Sequence, residues 1–249
     1  MKKIITTTIA AGLVASVATA EVSVSVDLAS AYVFRGVTLN DGAVIQPGIE
    51  ASGFGLKEEY GAVSFGAWGN YDLNDYAPAG AVSSTFQETD WYGSYSLPSL
   101  VEGLDLYIGY CEYSYGAGSA DKEANIGAGY EVMGVGLGLT WYQGVGGNIG
   151  STSYLEFALG YGYDFTDELS GSVDARFGFV NQSDSAGGES GFQDYDLGAS
   201  LGYALSEKWS VGATIMYIGK GDDKVLADIK DGGSYDVNFL GSIGLACDM

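Results

Sequence analysis

From Glu21 to the last residue the chain alternates apolar and polar side chains in about twelve segments of roughly ten residues, with connections that switch between long and short. A period of two marks strands whose faces meet different surroundings. The segments read as Val22–Phe34, Ala43–Ser52, Ala62–Asp72, Phe86–Leu97, Leu104–Tyr113, Glu123–Val132, Val135–Tyr142, Thr152–Phe165, Leu169–Asn181, Asp194–Leu205, Trp209–Ile218 and Ser234–Ala246. Odd-numbered connections are long, as in Asn74–Thr85, Gln182–Gln193 and Gly219–Gly233. Even-numbered ones are mostly tight, as in Met133-Gly134, Thr166–Glu168 and Ser206–Lys208. The pattern predicts an all-β fold, an antiparallel up-and-down transmembrane β-barrel of about twelve strands. Closing the sheet pairs every backbone N–H and C=O where hydrocarbon offers no partner. Past the first twenty residues no apolar run is long enough for a spanning helix.

The greasy face carries Val22, Val24, Val26, Leu28, Tyr32 and Phe34 on the first segment, Leu104, Leu106, Ile108 and Tyr110 on the fifth, and Tyr235, Val237, Phe239, Ile243 and Leu245 on the last. Aromatics gather at segment ends: Tyr71, Trp141 and Tyr217 toward the long connections, Tyr130, Tyr163 and Trp209 toward the short ones. Rings belong at the two headgroup levels of a membrane, because they are apolar with a polar edge. A water-soluble barrel is the competing reading; it would put its apolar face inside and would not sort aromatics by height.

Lys2 and Lys3 precede an apolar run, Ile4 to Val17, and Ala18-Thr19-Ala20 places small residues where a signal peptidase reads. Residues 1–20 are therefore expected to be a cleaved signal peptide, against the plainer alternative of a retained anchor, and 21–249 a single barrel. Cys111 and Cys247 fall near opposite rims and are expected to be unpaired thiols. Removing Lys2 and Lys3 leaves 8 basic residues against 32 acidic, a net charge of −24. Nucleic acid and anionic lipid would be repelled.

The opposite face should line the interior. Its charged members include Asp27, Arg35, Glu50, Asp72, Asp90, Asp105, Glu131, Glu156, Asp174, Arg176, Asp196 and Asp236, and these are the expected pore-lining residues. Carboxylates between low-dielectric walls concentrate cations and repel anions, so cation preference is expected. Arg35 and Arg176 either set a transverse field at a constriction or neutralise neighbouring carboxylates and stiffen the wall. Inward glycines such as Gly66, Gly127 and Gly198 leave room for water, or relieve barrel curvature. Inward Trp68, Tyr92, Tyr107, Tyr142 and Met216 work the other way, toward a plug.

Ser30-Ala31-Tyr32-Val33-Phe34-Arg35-Gly36-Val37-Thr38, followed by Gln46-Pro47-Gly48-Ile49-Glu50, resembles the opening signature of the TorF-type porin family, proteobacterial outer-membrane proteins of unassigned function. Weaker echoes run through Phe65–Asn70, Thr89–Gly93, Tyr107–Tyr110 and Tyr154–Phe157. The resemblance implies a barrel and a channel, with no substrate and no site residues attached. Where that family has an acidic residue this chain has Ala31, and where it has Ser-Gln this chain has Thr38-Leu39. The last strand also lacks the terminal aromatic of exported barrels.

The chain contains no histidine, which rules out Ser-His catalysis and histidine-bound metal. No cofactor, metal site or catalytic group is expected, and the chain does not read as an enzyme. Asp222-Asp223 and Asp228 lack the spacing of a calcium loop. The expected function is passive diffusion of small solutes across the outer membrane of a Gram-negative cell, with lipid, small solutes or cations, and a possible second copy of the chain as partners. The alternative is a non-conducting structural or surface-binding barrel.

Overall fold

The computed structural model describes residues 21–54, 60–74, 85–98, 101–182 and 188–249. The expected signal peptide lies outside them, as does most of the 74–85 connection. The strands are β1 (Glu21–Ala29), β2 (Tyr32–Phe34), β3 (Val37–Asn40), β4 (Val44–Ser52), β5 (Ala62–Asp72), β6 (Phe86–Ser96), β7 (Leu104–Tyr115), β8 (Asp121–Val132), β9 (Val135–Gly146), β10 (Ser153–Asp164), β11 (Leu169–Asn181), β12 (Gly191–Ala204), β13 (Trp209–Lys220) and β14 (Phe239–Asp248). Twelve of them, β1 and β4 through β14, close into one antiparallel barrel in sequence order. Val26 of β1 faces Leu245 of β14 on one side and Pro47 of β4 on the other, so no edge is left unpaired.

Exposed Leu28, Ile49, Phe65, Ile108, Ile126, Leu139, Leu197, Ile215 and Ile243 stand on the outer face. Buried polar Gln46, Asn70, Asp72, Glu88, Asp90, Glu123, Asp194 and Asp196 stand on the inner one. A barrel stable in water would reverse that sidedness, since each large apolar side chain gains roughly 1.5–3 kcal/mol by leaving water. Glu112 and Lys122 share the outward parity and pair at 3.8 Å near the long-connection ends of β7 and β8.

Four expectations are corrected. The segment read as Val22–Phe34 breaks at Ser30, where the Ser30 N–H donates to the Gly241 carbonyl and the Gly241 N–H to Ser30 Oγ. Beyond it β2 and β3 form a separate hairpin. Tyr32 and Phe34, expected to face lipid, instead turn inside: Tyr32 packs on Trp68 with ring centres 5.3 Å apart, and Phe34 on Tyr113 at 5.9 Å. The final strand begins at Phe239, so Tyr235 and Val237 are not on the lipid face; they pack against Met216, Ile218 and Leu240. The long-short alternation is also not strict. β7, β8 and β9 run past their expected ends and shrink the connections at 116–120 and 147–152, whereas 53–61 on the opposite rim is wider.

Candidate constriction of the lumen

The hairpin of β2 and β3 has a two-residue turn, with Arg35 at φ 50° and Gly36 at φ 75°. Such a turn matches the twist of two short strands and favours Asn-Gly or Gly-Gly at its centre. Arginine there carries a backbone cost of about 1–2 kcal/mol. The chain bears it and places a guanidinium at the tip of an element that folds into the lumen.

The hairpin is held at its flanks and root by both apolar and polar contacts. On one side Ala31 and Val33 pack with Met216, Ile218 and Leu240. On the other, Phe34, Leu39 and Trp68 surround Ala29, Tyr32 and Val44. Burial pushes the Tyr32 phenol well above its usual range, with Glu88 and Asp90 adding to the effect, so it stays neutral. Asn40 Nδ2 donates to Asp72 Oδ1 at 2.9 Å and to Gln87 Oε1 at 3.0 Å. Asn70 Nδ2 also donates to Gln87 Oε1, and Gln46 Nε2 to Asn70 Oδ1. Pro47 has no N–H for the ladder, and the β4–β5 register skips Gln46 and Pro47; the Gln46–Asn70 bond spans that gap. Thr38 Oγ1 accepts from the Asp236 and Val237 N–H groups, which ties β3 to the 221–238 connection.

At the tip Arg35 reaches the far wall. Its Nη1 and Nη2 donate to the two Glu123 oxygens at 2.7 and 2.8 Å. The guanidinium carbon lies 4.4 Å from the Tyr142 ring centre, 4.3 Å from that of Tyr154 and 4.7 Å from that of Phe34. Burial works against the charge, but the Glu123 bonds outweigh it and hold Arg35 protonated more firmly than a free arginine. Tyr113 donates its O–H to Glu123 at 3.0 Å, Tyr154 donates its own to Asp194 at 2.9 Å, and Gln193 Nε2 donates to the Arg35 carbonyl at 2.8 Å.

Irregularities in the wall aim side chains at this hairpin. The β5–β6 register shifts between Asn70 and Tyr71, which frees Gln87 to turn inward; the β11–β12 register shifts between Gly178 and Phe179 and does the same for Gln193. A period of two puts neither glutamine on the inner face. The signal was present in Gln87-Glu88 and Gln193-Asp194, where two adjacent polar residues break the period of two.

Of the expected lining residues, Asp27, Glu50, Asp72, Asp90, Glu156, Asp174, Arg176 and Asp196 lie on inward positions of the wall, and exposed Asp105 and Glu131 share that parity at the short-turn ends of β7 and β8. Arg35 is inside the barrel but on the hairpin, not on a wall strand. Asp236 leaves the wall altogether: it is exposed in the 221–238 connection. Both arginines neutralise neighbours, Arg35 through Glu123, and Arg176 through Asp196 and, at 3.6 Å, Glu156. Inward glycines do more than leave space. Tyr92 lies over its cross-strand partner Gly66 and Tyr107 over Gly127, each ring filling the hollow where a Cβ would stand. Those two rings lie along the wall, over their glycine partners.

No protein-family model matches the chain, and no curated protein sequence matches it. Solved structures do match. An outer-membrane channel from Pseudomonas putida F1 is 8% identical, with a TM-score of 0.58 over 94% of this chain and 97% of that chain. The NanC porin is 9% identical, with a TM-score of 0.54 over 91% and 98%. The outer membrane phospholipase A of Escherichia coli is 11% identical, with a TM-score of 0.51 over 91% and 92%. The fold is that of outer-membrane barrels. At such identities the likeness extends to architecture and not to chemistry.

Proposed function

We propose that the protein is an outer-membrane channel for passive diffusion of small, preferentially cationic solutes, exported with residues 1–20 removed and related to the TorF-type porins that its signature resembles. The observation that carries the reading is the unbalanced charge of the lumen. Arg35 and Arg176 are spent on Glu123, Asp196 and Glu156, whereas no ion pair among the described residues reaches Asp27, Glu50 or Asp90. Uncompensated carboxylates in a tube with low-dielectric walls raise the local cation concentration. The signature blocks gain a role in this reading: one builds the hairpin, and the other, through Gln46 and Pro47, builds the wall beside its root.

A second reading has its own support. The hairpin touches β5 at Trp68, β7 at Tyr113, β8 at Glu123, β9 at Tyr142 and β13 at Ile218, so it meets the wall in most directions and favours a barrel that does not conduct. Conductance of the purified protein in a planar bilayer, with the reversal potential in a salt gradient, separates the two. Discrete openings with a reversal potential on the cation side are expected. Silence supports the closed barrel, and an anion-side potential overturns the argument from the wall.

A further inference from the structure

The contacts around the Arg35 guanidinium are those of a receptor. Glu123 offers a carboxylate that accepts two parallel N–H bonds, at 2.7 and 2.8 Å, and Tyr142 and Tyr154 offer ring faces at 4.4 and 4.3 Å. A planar cation with forked donors makes two parallel bonds to the carboxylate and stacks on the rings, whereas a compact ammonium meets the charge and a ring face but has no fork to match the two oxygens. Every one of these groups belongs to the barrel wall. Tyr113 fixes Glu123 and Asp194 fixes Tyr154, so the receptor keeps its shape independently of the hairpin. The occupant, by contrast, is one side chain at the tip of a two-residue turn, and its release leaves the flank and root contacts of the hairpin in place.

We propose that the Glu123–Tyr142–Tyr154 site recognises the guanidinium group of a solute, and that Arg35 is an internal stand-in for it. A guanidinium-bearing solute drawn into the acidic lumen competes with Arg35, takes its place on Glu123 and frees the tip of the hairpin. Arg35 competes as a tethered ligand, so the wild-type site is available to free solute for only a fraction of the time and its apparent affinity falls in proportion. This assignment rests on the channel reading for its consequence, but the binding step stands apart from conduction.

The test uses methylguanidinium as probe and methylammonium as control, with isothermal titration of the whole mature protein in detergent. The Arg35→Ala chain is expected to bind methylguanidinium about tenfold or more tightly than the wild type, and methylammonium weakly in both. Adding Glu123→Gln to Arg35→Ala abolishes the difference. Should the Ala chain fail to assemble, Arg35→Lys, which keeps a cation at the tip without the fork, carries the same comparison. In bilayers, methylguanidinium raises wild-type conductance above that in equal sodium chloride, and Arg35→Ala is already high. Equal affinity of wild type and Arg35→Ala, or no preference over methylammonium, overturns the proposal. Tight binding by Arg35→Ala in a protein that never conducts upholds the receptor and overturns the channel.

Discussion

At Gly127 the wall carries no Cβ, and the Tyr107 ring from the facing strand occupies the hollow while its hydroxyl makes a 2.6 Å hydrogen bond with Thr140. Width of the lumen therefore depends on the backbone residue under each ring as much as on the ring. Gly127→Val should drive the phenol off the wall toward the barrel axis. Stability is expected to drop by about 1–3 kcal/mol, the usual cost of forcing bulk into a filled site, measured by urea titration in lipid vesicles. Conductance should fall in the same variant. Adding Tyr107→Ala should recover most of both losses, because the two residues act through one contact. A Gly127→Val chain with unchanged stability would mean the ring does not need its seat.

At the scale of the element, the β2–β3 hairpin and the wall are separable. The wall is continuous without the hairpin, since β1 pairs directly with β4 and with β14. Replacing residues 31–42 by a short Gly-Ser linker should leave strand content by circular dichroism nearly intact and raise bilayer conductance several-fold; unaltered conductance would show that the hairpin does not constrict the lumen. The same separability explains what sequence could reveal. Ala62–Asp72 and Leu169–Asn181 were legible to the residue, because a period of two records which side of a strand meets lipid. The hairpin was not, because Tyr32 and Phe34 carry on the apolar parity of Val26 and Leu28 across the break at Ser30. What holds the chain inward are partners far along it, Met216, Ile218 and Leu240 at the flank and Glu123 at the tip, and a local pattern holds no record of them. Parity alone puts Arg35 on a wall strand, whereas it sits at the turn of the hairpin, and it puts Asp236 in a strand that starts three residues later.

For the molecule as a whole, sidedness decides how a single charge is tolerated, and adjacent residues on β8 isolate it. Ile126 is exposed on the outer face between Ile108 and Trp141; Asn125 faces inward between Gly109 and Tyr142. Both share one backbone and one depth, and the gap in strand propensity between isoleucine and asparagine stays within about 1 kcal/mol, so a larger difference between arginine at the two positions reports the surroundings. Arginine in place of Ile126 meets hydrocarbon and should cost about 2–4 kcal/mol near the bilayer midplane. In place of Asn125 it meets a lumen whose carboxylates at Asp27, Glu50 and Asp90 have no ion pair among the described residues, and their long-range attraction offsets part of the lost packing. Urea titrations of Ile126→Arg and Asn125→Arg in lipid vesicles should therefore rank the outward variant as the less stable by at least about 1 kcal/mol. The inward variant should also lower cation preference in the bilayer, which the outward one has no means to do. If both variants lost equal stability, the two faces would not be in different solvents. The acidic lumen would then have no bearing on what passes.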